Sequence, residues 1–177
     1  MVNFSPVKQV NIKDRWYNNI WGVAVRIILI CCVGLLLALP ARAENPTPYS
    51  GMRTVETGRT FAAYVDSLKK AVRGNRMGIV AHACATCGAK AIGVTIPGNH
   101  VVMIFHPRFA VGMLKASVAA GIEAPIRLYL TEKSDGTARL TYRLPSHTFH
   151  KYEVPALDEM AKELDGIVAK IVADAGK

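Results

Sequence analysis

The chain has 177 residues, of which 51% are hydrophobic and 20% charged, so its length and composition suit one globular domain of ordinary size. Its 14 glycines and 9 prolines exclude collagen-like and low-complexity sequences. The net charge is +9, and residues 1–43 contribute five basic side chains and one acidic side chain to it. The rest of the chain has no basic run that could follow a phosphate backbone. We therefore expect no nucleic-acid partner.

Residues 1–43 have the order of an export signal. Basic side chains up to Arg26 precede thirteen apolar residues at 27–39, and proline follows them. Ala41 and Ala43 are the small residues that a signal peptidase accepts three and one positions before its cut, so we expect cleavage after Ala43. The alternative is an uncleaved inner-membrane anchor formed by residues 21–39, the one route by which we expect membrane contact. Both alternatives leave the domain outside the cytoplasm, in the periplasm or secreted.

The first predicted elements follow a linker at residues 44–51, after which residues 52–177 form a single predicted domain. Residues 52–57 favour a short edge strand that Gly58 ends. A helix follows, capped by Thr60 and stopped by Gly74, because its apolar side chains recur at spacings of three and four. These side chains are Phe61, Tyr64, Val65, Leu68 and Val72.

The middle of the domain contains two apolar, β-branched-rich runs at residues 77–83 and 100–105, which predict buried strands. A connection that contains two cysteines joins them. Residues 108–117 then have apolar side chains on one helical side and predict a second helix.

The last part of the domain begins with a predicted β-hairpin, residues 126–132 and 138–144, which flank an Asp-Gly turn. Pro155 can open the final helix, whose apolar stripe covers roughly four turns. The resulting order, β-α-β-β-α-β-β-α, predicts an α+β two-layer sandwich with a mostly antiparallel sheet and helices on one face.

Short stretches of this domain, in their order and spacing from Thr54 to Val172, resemble the bacterial family called domain of unknown function 302. The resemblance implies a compact α+β domain, often a homodimer, without an established reaction. The stretches are Phe61-Ala62-Ala63-Tyr64, Ile104-Phe105-His106-Pro107, Gly121-Ile122-Glu123-Ala124-Pro125, and Asp135-Gly136 followed by Thr141-Tyr142-Arg143-Leu144-Pro145.

The sequence departs from the family's pattern at three places. His106 stands where the family usually has asparagine, and Leu144 stands where an acidic or amide residue is common. Cys84-Ala85-Thr86-Cys87-Gly88 replaces the family's usual middle segment. A function of this chain can therefore belong to a subgroup of the family.

Cys84 and Cys87 are the cysteines that remain after signal cleavage, and the sequence leaves three interpretations open. A structural disulfide would close a loop of about four residues and would contribute roughly 2 kcal/mol. A thiol-disulfide exchange pair is the second interpretation, although residues 78–84 read as a strand rather than as the start of a helix, so a thioredoxin fold is not supported.

The third interpretation is a metal site. His82 and Cys84 share a strand face, and His100 or His106 from the next strand could complete a set of two sulfurs and one or two nitrogens for copper or zinc. Non-covalent haem is also possible, whereas Gly88 after the cysteine pair excludes covalent c-type haem. Because Pro107 holds the preceding residue extended at a strand end, the predicted ligand set is His82, Cys84, Cys87 and His106. A histidine that caps the next helix is the alternative for His106.

The sequence predicts no catalytic residues, because it has no Ser-His-acid order, phosphate loop or Rossmann glycine pattern, and we do not predict an enzyme. His147 and His150 are expected in a surface loop. The predicted function is that of an exported module that binds a small ligand, a metal or a periplasmic protein, with a homodimer as a possible state. The alternative is a redox accessory protein that uses Cys84 and Cys87.

Overall fold

A computed structural model describes residues 49–177, and its sheet has five antiparallel strands. In space the order is β1-β5-β4-β3-β2, so β1 and β2 are the two edges. The α+β class, the edge position of the first strand and the β4–β5 hairpin are confirmed. The strands are β1 Met52–Thr60, β2 Gly78–Cys84, β3 Asn99–Phe105, β4 Ile126–Glu132 and β5 Thr137–Arg143.

Five α-helices accompany the sheet within the described residues, two more than the sequence predicted. The predicted first, second and last helices are α1, α3 and α5, whereas α2 and α4 are short additions. The helices are α1 Phe61–Gly74, α2 Ala85–Ala91, α3 Pro107–Ala116, α4 Pro145–Phe149 and α5 Pro155–Ala175, with 3-10 turns at Ala119–Glu123 and His150–Tyr152.

The helix α4 corrects the expectation that His147 and His150 lie in a surface loop. Pro145 occupies the first turn of this helix, a position that proline favours because its fixed φ suits a helix start. His147 lies inside α4, and His150 begins the following 3-10 turn, where its ring contacts the Asp158 carboxylate at 3.4 Å.

The core lies between one face of the sheet and the helices α1, α3 and α5. Alternate residues of the central strands face it, and the α5 stripe is buried as predicted at Leu157, Ala161, Leu164, Val168 and Ile171. Truncating a buried leucine or isoleucine to alanine costs about 2–5 kcal/mol, so this layer dominates the stability of the fold. The strand residues of the core include Val102, Ile104, Leu128, Leu130 and Leu140, all fully buried.

The end of β1 differs from the prediction. The strand continues through Gly58 to Thr60, and the pairing with β5 shifts register between Glu56 and Thr60. Gly58 has φ +65°, a left-handed conformation that glycine adopts without a Cβ clash, so it allows the irregularity instead of ending the strand. Thr60 occupies the N-cap position of α1, but its side chain makes no capping hydrogen bond.

The segment before β1 is described from Tyr49 onward. The backbone of Tyr49 accepts a hydrogen bond from Met52, and Gly51 accepts one from Leu144 at 2.7 Å, so the last residues of the predicted linker are hydrogen-bonded to the domain. Ala41, Ala43 and the apolar segment at 21–39 lie outside the described residues. Within residues 49–177, no helix is both long and apolar enough to cross a membrane.

Candidate functional site

The two cysteines lie where β2 passes directly into α2. Cys84 is the last residue of β2 and the N-cap of α2, and Cys87 is the third residue of that helix. The two form a disulfide with a Cα–Cα distance of 5.2 Å, and the Cys87 backbone N–H donates to Cys84 Sγ at 3.0 Å. Residues 78–84 form the predicted strand, and a short helix begins directly after it, so the strand and the helix share Cys84 as their boundary.

Two histidines lie on the same face of the sheet as Cys84. In the antiparallel pairing of β2 with β3, Cys84 faces His100 and His82 faces Val102. The Cys84 Sγ and His100 Nε2 atoms are 3.0 Å apart, and His82 Nε2 is 3.1 Å from His100 Nδ1. We call Cys84, Cys87, His100 and His82 the Cys–His cluster.

The positions of the protons in the Cys–His cluster follow from the disulfide. A disulfide sulfur carries no hydrogen, so the hydrogen between Cys84 Sγ and His100 belongs to Nε2 of the imidazole. A neutral His100 that is protonated at Nε2 has an acceptor lone pair at Nδ1. His82 therefore donates its Nε2–H to that atom. The hydrogen bonds run in one direction, from His82 through His100 to the sulfur.

The surroundings keep both imidazoles neutral. Burial lowers the pKa of His82 below its ordinary value of 6.5, and the cation of Lys69 on α1 lowers it further. Burial also lowers the pKa of His100, with smaller contributions from His82 and Lys69. Both rings are therefore uncharged at neutral pH.

The Phe61 ring covers one side of His100, and the two ring centroids are 5.1 Å apart in an edge-on arrangement. A Cβ atom at Gly98 would lie 2.5 Å from the Phe61 ring, so glycine is needed for this close approach. Cys84 and His100 are half-buried, whereas Cys87 is exposed. A reactant from solution therefore reaches Cys87 more easily than Cys84. Next to the pair, the same connection exposes Ile92 and Val94.

His106 does not lie in the Cys–His cluster, which corrects the predicted ligand set. The pairing places Phe105 beside Gly78, at the beginning of β2, and a strand rises about 3.3 Å per residue, so His106 is roughly 20 Å along β3 from His100. Its Nδ1 atom accepts the backbone N–H of Arg108 at 3.1 Å, so His106 caps α3. His100 occupies the place predicted for His106.

A small cavity lies at the His106 end of the sheet. It encloses about 30 Å³ and is lined mainly by apolar side chains such as Met77, Ile104, Met113 and Phe149. Pockets for organic ligands are typically about 300–1,000 Å³, so this one has room for water-sized molecules rather than for a small organic ligand. It adds no support for a small-ligand site at His106.

Two sulfurs and one nitrogen of the Cys–His cluster form a donor set that could hold a metal. The ligand atoms of Cys84, Cys87 and His100 all lie within 4.8 Å of one another. The antiparallel pairing of β2 with β3 is the feature that identifies His100, rather than His106, as the histidine near the cysteines. When consecutive strands are antiparallel, the end of the first lies beside the start of the second, and His100 is the second residue of β3 whereas His106 follows its end.

Comparison with known proteins identifies a matching family and a solved structure with the same fold. A family model described as domain of unknown function DUF302 matches residues 53–174. The crystal structure of an uncharacterized conserved protein DUF302 from Bacillus stearothermophilus superposes with a TM-score of 0.64 and 16% sequence identity, covering 71% of this chain and 98% of that chain. At this identity the likeness shows the shared fold alone. No curated protein matches the sequence.

Proposed function

This chain belongs to the family called domain of unknown function DUF302, as its sequence predicted, and from that premise we propose that it is an exported thiol-disulfide exchange protein with Cys84 and Cys87 as its working pair. The observation that carries the proposal is the 3.0 Å contact between Cys84 Sγ and His100 Nε2, beside an exposed Cys87. The family description assigns no reaction, so the proposal concerns residues of this chain only.

The exchange begins at Cys87, because Cys87 is the exposed residue of the pair. A thiolate of a partner protein attacks Cys87 Sγ, the bond between Cys84 and Cys87 breaks, and a mixed disulfide forms between the partner and Cys87. Cys84 leaves with the electron pair as a thiolate. The Cys87 N–H and the His100 Nε2–H already contact Cys84 Sγ, so the leaving thiolate has two hydrogen-bond donors in place.

The second half of the exchange releases the partner. Another thiolate of the partner attacks the partner's own sulfur in the mixed disulfide, and Cys87 leaves as a thiolate. The partner's two thiols are then joined in a disulfide, and the Cys84–Cys87 pair has gained two electrons. The reverse sequence reduces a partner's disulfide, and the direction depends on the two reduction potentials.

The location of the disulfide argues against a purely structural role. A loop of about four residues contributes roughly 2 kcal/mol through chain entropy, at the low end of the range for disulfides. The helix that it anchors, α2, has no buried residue among those described. The bond therefore joins the end of β2 to the first turn of α2 instead of fixing elements of the core.

The reduction potential tests the proposal. Equilibration of the protein in glutathione and dithiothreitol buffers, followed by alkylation and mass measurement, gives the fraction of reduced Cys84 and Cys87 at each potential. We expect a midpoint more oxidising than about −300 mV, the range below which structural disulfides fall. A midpoint below that value would assign the disulfide to structure. The double variant Cys84→Ser/Cys87→Ser is the control for alkylation elsewhere.

Export is tested separately by the intact mass of the protein recovered from cell fractions. We expect a periplasmic species that begins at Glu44, directly after the predicted cleavage site. A cytosolic species that begins at Met1 would contradict export and would place the exchange in a reducing compartment.

A further inference from the structure

We infer that the reduced Cys–His cluster is a copper(I) site, with Cys84, Cys87 and His100 as ligands and His82 as the residue that positions the His100 ring. The inference goes beyond the proposed exchange reaction, because that reaction transfers electrons between thiols and disulfides and does not involve a metal ion. It rests on the proposed function in one respect, namely that the disulfide between the two cysteines can be opened.

The ligand atoms are already gathered for one ion. The Cys84, Cys87 and His100 donor atoms lie within 4.8 Å of one another, and the two cysteine Cα atoms are 5.2 Å apart. Metal–sulfur bonds of about 2.3 Å and metal–nitrogen bonds of about 2.0 Å place donors around one ion roughly 3.5–4 Å from each other. Opening the disulfide separates the sulfurs toward that distance by side-chain rotation.

The chemistry of the donors selects the metal. Thiolate is a soft ligand that favours copper(I) and zinc over harder cations. A structural zinc site has four protein ligands, whereas the group of mutually close donors within residues 49–177 contains three. Copper(I) is satisfied by two or three soft donors, so two thiolates and one imidazole match its needs. The exposed Cys87 leaves a side of the site open for transfer of the ion to another protein.

His82 is suited to hold the His100 ring while His100 binds the metal. A ligating histidine usually donates its other ring N–H to a neighbouring acceptor, which fixes its tautomer and orientation. His82 Nε2 already lies 3.1 Å from His100 Nδ1. In the copper form His100 has its proton at Nδ1 and donates to His82 Nε2, the reverse of the direction in the disulfide form. The contact between His82 and His100 can therefore orient the His100 ring in both the disulfide form and the copper form.

The test is a copper(I) titration of the purified protein. A phosphine reductant opens the disulfide without thiol exchange and is removed under nitrogen, after which bicinchoninate competes with the protein for copper(I). We expect one equivalent of copper to bind. His100→Asn should lower the affinity at least 100-fold, and His82→Asn should lower it about 10- to 100-fold, as removal of such positioning partners does. His106→Asn and His150→Asn are matched controls and should leave the affinity unchanged.

The outcomes separate this inference from the proposed function. Equal affinity of wild type and His100→Asn, or tighter binding of zinc than of copper(I), would overturn the copper site. Since His100 is half-buried, Cys87→Ser provides a second variant at an exposed position, and unchanged affinity in that variant would also overturn it. Copper binding after phosphine, together with a disulfide that dithiothreitol does not open, would support the site and reject the exchange function.

Discussion

His100 in β3 and His106, which directly follows the end of that strand, are six residues apart, yet the two side chains have different surroundings. His100 contacts a sulfur and a second imidazole beside an edge strand. His106 accepts a backbone N–H and lies beside an apolar cavity. The residue type is the same, so the neighbouring groups determine which hydrogen bonds each histidine makes.

The two ends also differ in how much the neighbouring helix contributes to the core. The His106 end joins β3 to α3 and lies beside fully buried Ile104. The His100 end joins β3 to α2, a helix with none of its described residues buried. Four predictions test this contrast, in order of decreasing expected effect.

The largest effect is expected for removal of one cysteine at a time. Cys84→Ser leaves the exposed Cys87 as the reacting thiol and removes the thiol that would resolve a mixed disulfide. With a disulfide reagent such as oxidised glutathione, we expect this variant to accumulate a mixed disulfide about tenfold faster, or more, than Cys87→Ser. Mass spectrometry over time measures both. Faster reaction of Cys87→Ser would reverse the order of attack proposed here.

Replacement of the two histidines by asparagine compares the two ends directly. His100→Asn removes a hydrogen bond to the Cys84 thiolate, an interaction worth about 1.5–3 kcal/mol when one partner is charged. The reduced form loses that stabilisation, so the reduction potential should fall by roughly 30–60 mV. His106→Asn keeps a good N-cap residue and should leave the potential unchanged. Equal shifts in the two variants would contradict a special role for His100.

Lys69 and Lys70 are adjacent on α1 and provide a matched pair of charges. Lys69 acts electrostatically on both His82 and His100. Its cation should also favour the Cys84 thiolate, by about 0.2–1 kcal/mol for a partly exposed charge, so Lys69→Gln should lower the potential by roughly 5–20 mV. Lys70→Gln should have no effect, and the Lys69 shift should shrink at high salt. An equal shift of the reduction potential in both variants would mean that the net charge of the protein, and not the position of Lys69, causes the shift.

The smallest effect concerns acid stability at the hairpin near the His100 end. Hydrogen bonds from the Thr137 side chain and backbone, together with Lys133, lower the pKa of Asp135 to about 2. Since the ordinary value is 3.8, the ionised carboxylate stabilises the fold above pH 4, and this contribution is lost as the pH falls toward 2. Denaturant unfolding of Asp135→Asn should therefore show a shallower loss of stability over that interval than wild type. If the stability of Asp135→Asn and of wild type fell equally with pH over that interval, the lowered pKa of Asp135 would be contradicted.

Much of the fold could be predicted because its signals are local. The Asp135-Gly136 pair marks a tight turn, and the apolar stripe of α5 recurs at helical spacing over its whole length. The helix α2 has no such signal. It is seven residues long and buries none of the residues described for it, so no apolar periodicity reports it. The strand β1 passes through Gly58 because a bulge, which depends on the partner strand, absorbs the glycine.

The candidate site could be predicted only in part. Strand alternation correctly places His82 and Cys84 on one face, but it also places His100 and His106 on a common face and does not choose between them. The choice depends on how β2 and β3 pair. Their pairing follows from the whole sheet, in which β3 lies between β2 and β4. The departure from the family's pattern at His106 favoured the wrong histidine, because His106 caps a helix.

The connection between β2 and β3 has a consequence for how this domain can change. The Thr86 hydroxyl donates to the Pro97 carbonyl and accepts the Asn99 backbone N–H, and the Gly98 N–H donates to the Glu132 carboxylate. These hydrogen bonds hold the connection in place. Its helix adds nothing to the buried core. Insertions, deletions and exchanges in such a segment are tolerated far better than in packed elements. Exchange of this segment, in evolution or by protein engineering, therefore adds or removes Cys87 and with it the disulfide, while the sheet and the packed helices stay the same.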